Sequence, residues 1–343
     1  MADRDTPSTV SATPAPSATR APGLSAGVAR ALPAVVTILA DLPPEPLPEG
    51  GVNEVQNIGS GIVISEQGLV LTNYHVIAGA AELRVVLSTG EERPASVVAD
   101  DSPFQDMALL SIPSGGLRPA SLGDSEAIRL GDPVAVIASG LLTIENQVKG
   151  GVISGINVDF PRDGIVMLDM LQTDAAVNHG DSGGALVDEA GEVVGLVTTV
   201  IRSTPQREVI EGVALAHSVH TLRPAIEAVL TTGANPRPRL GIERLGEQHR
   251  VLGVEELPEG TAPGSAVLVT VVAAGSPAED AGIVPGDVIV GVNGQQVSED
   301  APFVNLVAVA AAQGDVRLAV IGESGLSEIS VTPRPVAAAP NPR

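Results

Sequence analysis

The chain has 343 residues, enough for two or three domains and a large core, and 44% of it is hydrophobic. Aromatic residues make up only 1%, so that core must be built from Val, Leu, Ile and Ala. The net charge of −22 leaves no basic face for nucleic acid and repels an anionic membrane, and the absence of cysteine excludes disulfides, thiolate catalysis and cysteine-ligated metals.

Residues 1–24 are rich in Ser, Thr, Ala and Pro and have no apolar stretch of the kind a secretory signal needs. They read as a disordered arm, and as written the sequence points to a cytoplasmic protein. No run reaches the length of a membrane span. From Ser25 to Leu32 the pattern is helical, and Ala34–Ile38 predicts a first strand. A proline-rich loop follows at Leu42–Pro48. Gly59–Ile64 and Gly68–Thr72 predict a hairpin, and short β-rich runs recur at Leu83–Leu87, Ala95–Ala99 and Met107–Ile112. A polar, Gly-containing bridge over 114–132 separates this set from a second one at Pro133–Ala138, Gln147–Ile156, Ile165–Thr173, Ala185–Val187, Glu192–Val200 and Gly212–His217. The rhythm is that of antiparallel barrels or sandwiches. Val219–Leu230 has apolar residues at helical spacing and closes the second unit.

Residues 232–238 predict a linker, and a third unit follows over 239–335. Its strands are expected at Val267–Val272, Val288–Val292, Val316–Ile321 and Ser327–Thr332, with helices at Pro277–Ala281 and Phe303–Ala312. Asn293-Gly294 signals a tight turn. The tail, 336–343, is Ala/Pro-rich and reads as loose.

The chemistry concentrates in Thr173-Asp174-Ala175-Ala176-Val177-Asn178-His179-Gly180-Asp181-Ser182-Gly183-Gly184, a polar, glycine-rich stretch between two apolar runs. A serine between Gly-Asp and Gly-Gly can be held on a tight turn with its hydroxyl exposed and backbone N–H groups converging beside it, which suits an activated nucleophile. Such a serine needs a base and a carboxylate. His75 stands at the end of a predicted strand, and Asp106 lies on a loop entering another; Asp100 and Asp101 are close competitors for the carboxylate. The order His75, Asp106, Ser182 is the order of a chymotrypsin-type triad, with the first two on one β-unit and the serine on the next. In that reading Ser182 attacks a carbonyl, His75 moves the proton, Asp106 orients the imidazole, and the N–H groups of Gly180 and Ser182 form the oxyanion hole. His179 reads as a solvated loop histidine. His217 and His220 lack the further ligand spacing of a zinc site, so neither a metal nor a cofactor is expected.

These residues resemble the HtrA/Deg-type serine proteases. The resemblance is carried by Ala31–Val36, Gly59–Ile64, Leu71–Ala80, Asp106–Leu110, Gln172–Leu186 and Gly275–Ile289, and extends over roughly Leu24 to Thr332. It implies a mainly β fold, two six-stranded chymotrypsin-like barrels over 25–231 followed by a C-terminal α+β PDZ domain. It also implies a serine endoprotease of unfolded or misfolded polypeptides, of the kind that serves protein quality control and stress responses, regulated by a PDZ domain that binds peptide C-termini. A homotrimer and a periplasmic or other extracytoplasmic location are further implications. Arg239-Leu240-Gly241-Ile242 resembles the PDZ carboxylate-binding loop, in which Leu240, Gly241 and Ile242 present successive N–H groups. Ala176 stands where trypsin-like pockets carry an aspartate, so an aliphatic preference is expected, and the family segment matching His217 borders the same pocket. The sequence departs from the family at Asp181, where Asn is usual, and over Ala138–Ile144, where a Gly-Asn-Pro-rich segment is usual. Two other readings stand beside the protease: a latent enzyme acting mainly as a peptide-binding or chaperone-like scaffold, and an esterase.

Overall fold

The computed structural model describes residues 23–46, 52–53, 55–101, 105–139, 146–162, 165–178, 180–201, 210–233, 239–245, 266–298, 301, 303–311, 314–322 and 324–334. Nearly all of the expected arm, most of the expected linker, the tail, the Gly140–Ile144 segment, His179 and His249 lie outside these residues.

Leu24–Ala31 forms α1, and a 3-10 turn follows at Leu32–Ala34, where Pro33 fits because an N–H at the start of a helical turn has no partner to lose. The chain then runs through β1 (Val35–Asp41), β2 (Glu45–Pro46), β3 (Val52–Asn53), β4 (Gln56–Val63), β5 (Leu69–Thr72), a one-turn α2 (Tyr74–Ile77), β6 (Glu82–Val86), β7 (Glu92–Asp100) and β8 (Ala108–Ser111). β2 and β3 pair as a ribbon, and the other six strands close into an antiparallel barrel in the order β1-β4-β5-β8-β7-β6. Alternation along β1 sends Val36, Ile38 and Ala40 to one cluster with Val63, Val70, Val85 and Leu110. Val35 faces the other way, with Ile62, Leu71 and Leu109. Both faces are buried, which is why these strands read as nearly continuous apolar runs.

The second barrel is built from β9 (Pro133–Ser139), β10 (Asn146–Arg162), β11 (Ile165–Thr173), β12 (Ala185–Val187), β13 (Val193–Val200) and β14 (Ala214–Ser218), closed in the order β10-β11-β14-β13-β12-β9. Val134, Val136, Leu171, Leu186, Val197 and Ala216 fill it. Ile137, Ala185, Val187 and Leu196 instead join Ile62, Leu71 and Leu109 of the first barrel in one continuous core, closed by Leu222 and Ile226 of α3 (Val219–Thr232). Each such side chain contributes about 1.5–3 kcal/mol by leaving water, so this shared layer fixes one barrel against the other. Ser218 caps the start of α3 and Gly233, in the left-handed conformation, ends it.

The third unit contains β15 (Ile242–Leu245), β16 (Val267–Val272), α4 (Pro277–Asp280), β17 (Val288–Val292), β18 (Gln295–Gln296), α5 (Phe303–Ala311), β19 (Val316–Gly322) and β20 (Gly325–Val331). Its sheet runs β15-β16-β17-β19-β20, and β18 folds back on β17 through the Asn293-Gly294 turn, both residues at positive φ (50° and 81°). β15 lies at one edge of the sheet and β20 at the other. Leu240, Val267, Ile289, Phe303, Val307 and Leu318 form a separate core.

One local expectation is corrected. His75 is not at a strand end but inside α2, because Asn73 is the extended N-cap at which the chain leaves β5 for a helical turn. The carboxylate of Asp106 accepts the His75 backbone N–H at 2.8 Å, a donor that the first turn of a helix leaves without a partner.

Candidate active site

Asp106 is the organising charge. It sits just ahead of β8, and its backbone carbonyl accepts the side-chain N–H of the fully buried Asn73 at 2.7 Å. Its Oδ2 receives His75 Nδ1 at 2.5 Å, so two donors of one residue grip two oxygens of the same carboxylate and fix the imidazole's plane. Burial alone would raise the Asp106 pKa. The hydrogen bonds and charge of His75 outweigh it, with a smaller contribution from His217, and hold the group at about 2. The competitors are occupied elsewhere: Asp100 binds the Arg239 guanidinium (2.9 Å), and Asp101 is fully buried.

The serine turn is anchored at both ends. Gly183 N–H donates to Val197 O (2.8 Å), and Ser182 O accepts from Ser60 N (2.8 Å). Gly183 has φ +85°, and a Cβ there would lie 2.0 Å from the Ser60 carbonyl oxygen, so only glycine fits. Inside the turn the N–H groups of Asn178, Asp181, Gly183 and Gly184 all find acceptors. Those of Gly180 and Ser182 have none among the described residues, and Gly180 takes φ +90°. The two N–H groups expected to bind an oxyanion are therefore both without an acceptor among the described residues.

Two positioning residues are absent from the sequence reading. Thr198 lies where the β13–β14 register shifts between Val197 and Thr199. A bulge re-aims the side chain that it carries. The Thr198 hydroxyl donates to Asp106 Oδ2 at 2.9 Å, and its carbonyl accepts the Ser182 hydroxyl at 3.0 Å. The serine thus rests on Thr198 rather than on His75. The second is Ser60, whose hydroxyl donates to Gly180 O (2.9 Å) and accepts from Ser139 N (2.8 Å), stitching the turn to both barrels. Its motif, Gly59-Ser60-Gly61, was visible in the sequence; its partners were not.

Of the expected pocket residues, Ala176 is exposed beside the turn, and its carbonyl accepts from Asn178 Nδ2 at 3.3 Å. His217 is buried on β14 and stands close enough to Asp106 to favour its ionised form. No described cavity brings Ala176 and His217 together.

In the third unit, the carbonyls of Leu240 and Gly241 accept from Ala278 N and Ala273 N, each at 2.8 Å. Among the described residues the Leu240 and Gly241 N–H groups have no acceptor, so the loop offers donors at the start of β15. A Cβ at Gly241 would strike Ser276 at 2.1 Å.

Closed six-stranded barrels, a His–Asp pair on one and a Gly-Asp-Ser-Gly-Gly turn on the other, define a trypsin-like peptidase. The comparisons agree: residues 59–196 match the model of the trypsin-like peptidase domain, and residues 268–321 match the PDZ domain model. The chain is 34% identical over 257 residues to the serine protease Do-like HtrB of Bacillus subtilis, covering 71% of this chain and 54% of that one. It is 31% identical over 243 residues to the serine endoprotease DegS of Haemophilus influenzae, covering 71% of this chain and 67% of that one. A solved structure of the HtrA-type protease AlgW with a decapeptide superimposes with a TM-score of 0.56 at 27% identity, covering 92% of this chain and 99% of that one. The chain belongs to the HtrA/Deg-type serine protease family. It spans 54–60% of the length of several curated relatives that it matches.

Proposed function

We propose that the chain is a serine endopeptidase that cleaves unfolded or misfolded polypeptides, with the peptidase unit over 25–231 and a PDZ unit over 239–335 that binds peptide C-termini. The observation that carries the reading is the pair of unpartnered N–H groups, Gly180 and Ser182, on the turn that Thr198 ties to the His75–Asp106 pair.

The chemistry follows from these groups. The Ser182 hydroxyl leaves the Thr198 carbonyl, gives its proton to His75 and attacks the scissile carbonyl. The resulting oxyanion meets the Gly180 and Ser182 N–H groups, and Asp106 stabilises the imidazolium. His75 then protonates the leaving amine, and water, activated by the same histidine, releases the acyl group from Ser182. Ala176 offers no carboxylate to a Lys or Arg side chain, so small and medium aliphatic residues are favoured on the acyl side of the cut. The decapeptide in the AlgW structure accords with a peptide ligand for this chain. Contact between Ser182 and Thr198 is also what a latent scaffold would show, and one experiment separates the two. The full chain should react with a fluorophosphonate probe and cleave casein, and Ser182→Ala should lower cleavage on the order of 10⁴-fold or more while leaving the fold intact. Turnover by the purified variant close to wild type, or a wild-type chain inert to the probe, refutes the proposal.

A further inference from the structure

The serine turn carries one charge of its own, Asp181, and it is buried, with 1% of its surface exposed. Its Oδ2 accepts the Asn178 N–H at 2.6 Å, and its backbone N–H donates to Asn178 O at 3.1 Å, so the turn closes on this one residue. Its carbonyl accepts from Gly184 N at 2.9 Å, fixing the far side of Ser182. A carboxylate taken out of water in this way is costly unless a cation meets it. That cation is Lys149. Its ammonium binds Asp181 Oδ2, and its side chain is 15% exposed. Among the described residues it is the only cation paired with Asp181.

Lys149 belongs to the barrel frame, not to the turn. It lies on β10, in register with Val136 of β9, and is separated from Asp181 by 32 positions in the chain. The pair therefore joins the rigid wall of the second barrel to the segment that carries Ser182 and both unpartnered N–H groups. Removing the ammonium would leave Asp181 buried without a countercharge. The carboxylate would then have to reach water, carrying with it Asn178 and Gly184, which share its hydrogen bonds, and Gly180 and Ser182, its neighbours in the chain.

We propose that Lys149 is a positioning residue for the nucleophile: its buried ion pair with Asp181 holds the 178–184 turn in the form that aims Ser182 and the oxyanion donors. The proposal rests on Ser182 being the nucleophile.

The test uses the full chain with four substitutions: Lys149→Met, Lys149→Arg, Asp181→Asn, and the neutral pair Lys149→Thr with Asp181→Asn. Each is followed by melting temperature, by the rate of fluorophosphonate labelling per folded molecule, and by kcat and KM on a peptide substrate. Lys149→Met should lower kcat and the labelling rate about 100-fold, with KM changed less than about threefold. The neutral pair and Lys149→Arg should label within about tenfold of wild type, because neither strands a buried charge. A folded Lys149→Met that labels at the wild-type rate overturns the proposal, as does a neutral pair as slow as the worse single variant. Should Lys149→Met not fold, the neutral pair and Lys149→Arg decide the matter by the same labelling criterion. A wild-type chain that does not label at all refutes the peptidase assignment instead, so the two failures are distinguishable.

Discussion

Thr198→Val is the substitution that most directly tests how the two barrels combine. It keeps the shape of a side chain that is 2% exposed and removes one hydroxyl. That hydroxyl donates to Asp106 Oδ2 at 2.9 Å, the same oxygen that receives His75 Nδ1. A hydrogen bond to a charged, buried group contributes about 1.5–3 kcal/mol. The loss falls where the carboxylate is most needed, when His75 becomes cationic, so kcat/KM should fall about 10- to 150-fold, at about 1.4 kcal/mol per tenfold. The Thr198 carbonyl, which holds the resting Ser182 hydroxyl, is unchanged, so KM should move little. Steady-state kinetics on a peptide substrate, alongside a thermal melt, reads both effects. A folded variant within twofold of wild type would refute the claim that Asp106 depends on the second barrel.

Three further outcomes are expected. The depressed Asp106 pKa, about 2 against an ordinary 3.8, means that the unfolded chain binds a proton at a higher pH than the folded one does. About 2 kcal/mol of stability is then present above pH 4 and lost as pH falls through about 2. Denaturant midpoints of wild type and Asp106→Asn from pH 7 downwards should converge over that window, and a pH-independent difference would refute it. Gly183→Ala places a Cβ 2.0 Å from the Ser60 carbonyl at φ +85° and should cost about 3 kcal/mol or more by the same denaturant assay, whereas stability unchanged to within about 1 kcal/mol would show that the turn can relax. The Ser182→Ala chain should bind peptides with an apolar C-terminal residue at about micromolar affinity and lose that binding when the terminus is amidated. Calorimetry reporting equal affinity for the free and amidated peptides would show that Leu240, Gly241 and Ile242 do not hold a carboxylate.

Much of the fold was legible because strand periodicity and glycine punctuation act locally. All six strands of each barrel fall on runs that the sequence marks, and α3, α4, α5 and the Asn293-Gly294 turn fall where their patterns place them. His75, Asp106 and Ser182 were legible for a different reason: each lies in a short motif whose neighbours are as telling as the residue itself. Arg239, beside Leu240, Gly241 and Ile242, carries no local sign of its partner: its guanidinium binds Asp100 at the end of β7. Only the packing of the third unit against the first barrel determines that.

The residues missed share one property. Thr198, Ser60 and Lys149 act across 92, 120 and 32 positions of chain, on partners that only the closure and mutual packing of the two barrels bring near. A threonine in a valine-rich strand carries no local sign of a bulge, and a serine between two glycines resembles any tight strand. Lys149 is different in kind. It is the only charged residue between Glu145 and Asp159, in a strand otherwise free of charge over that stretch. Asp181 is likewise the only carboxylate between Asp174 and Asp188, in a turn crowded with glycine. Two isolated opposite charges, each where a buried charge would be costly, form a pair whose pattern is present in the amino-acid sequence itself. Each alone has no reason to be there, and together they neutralise each other's cost.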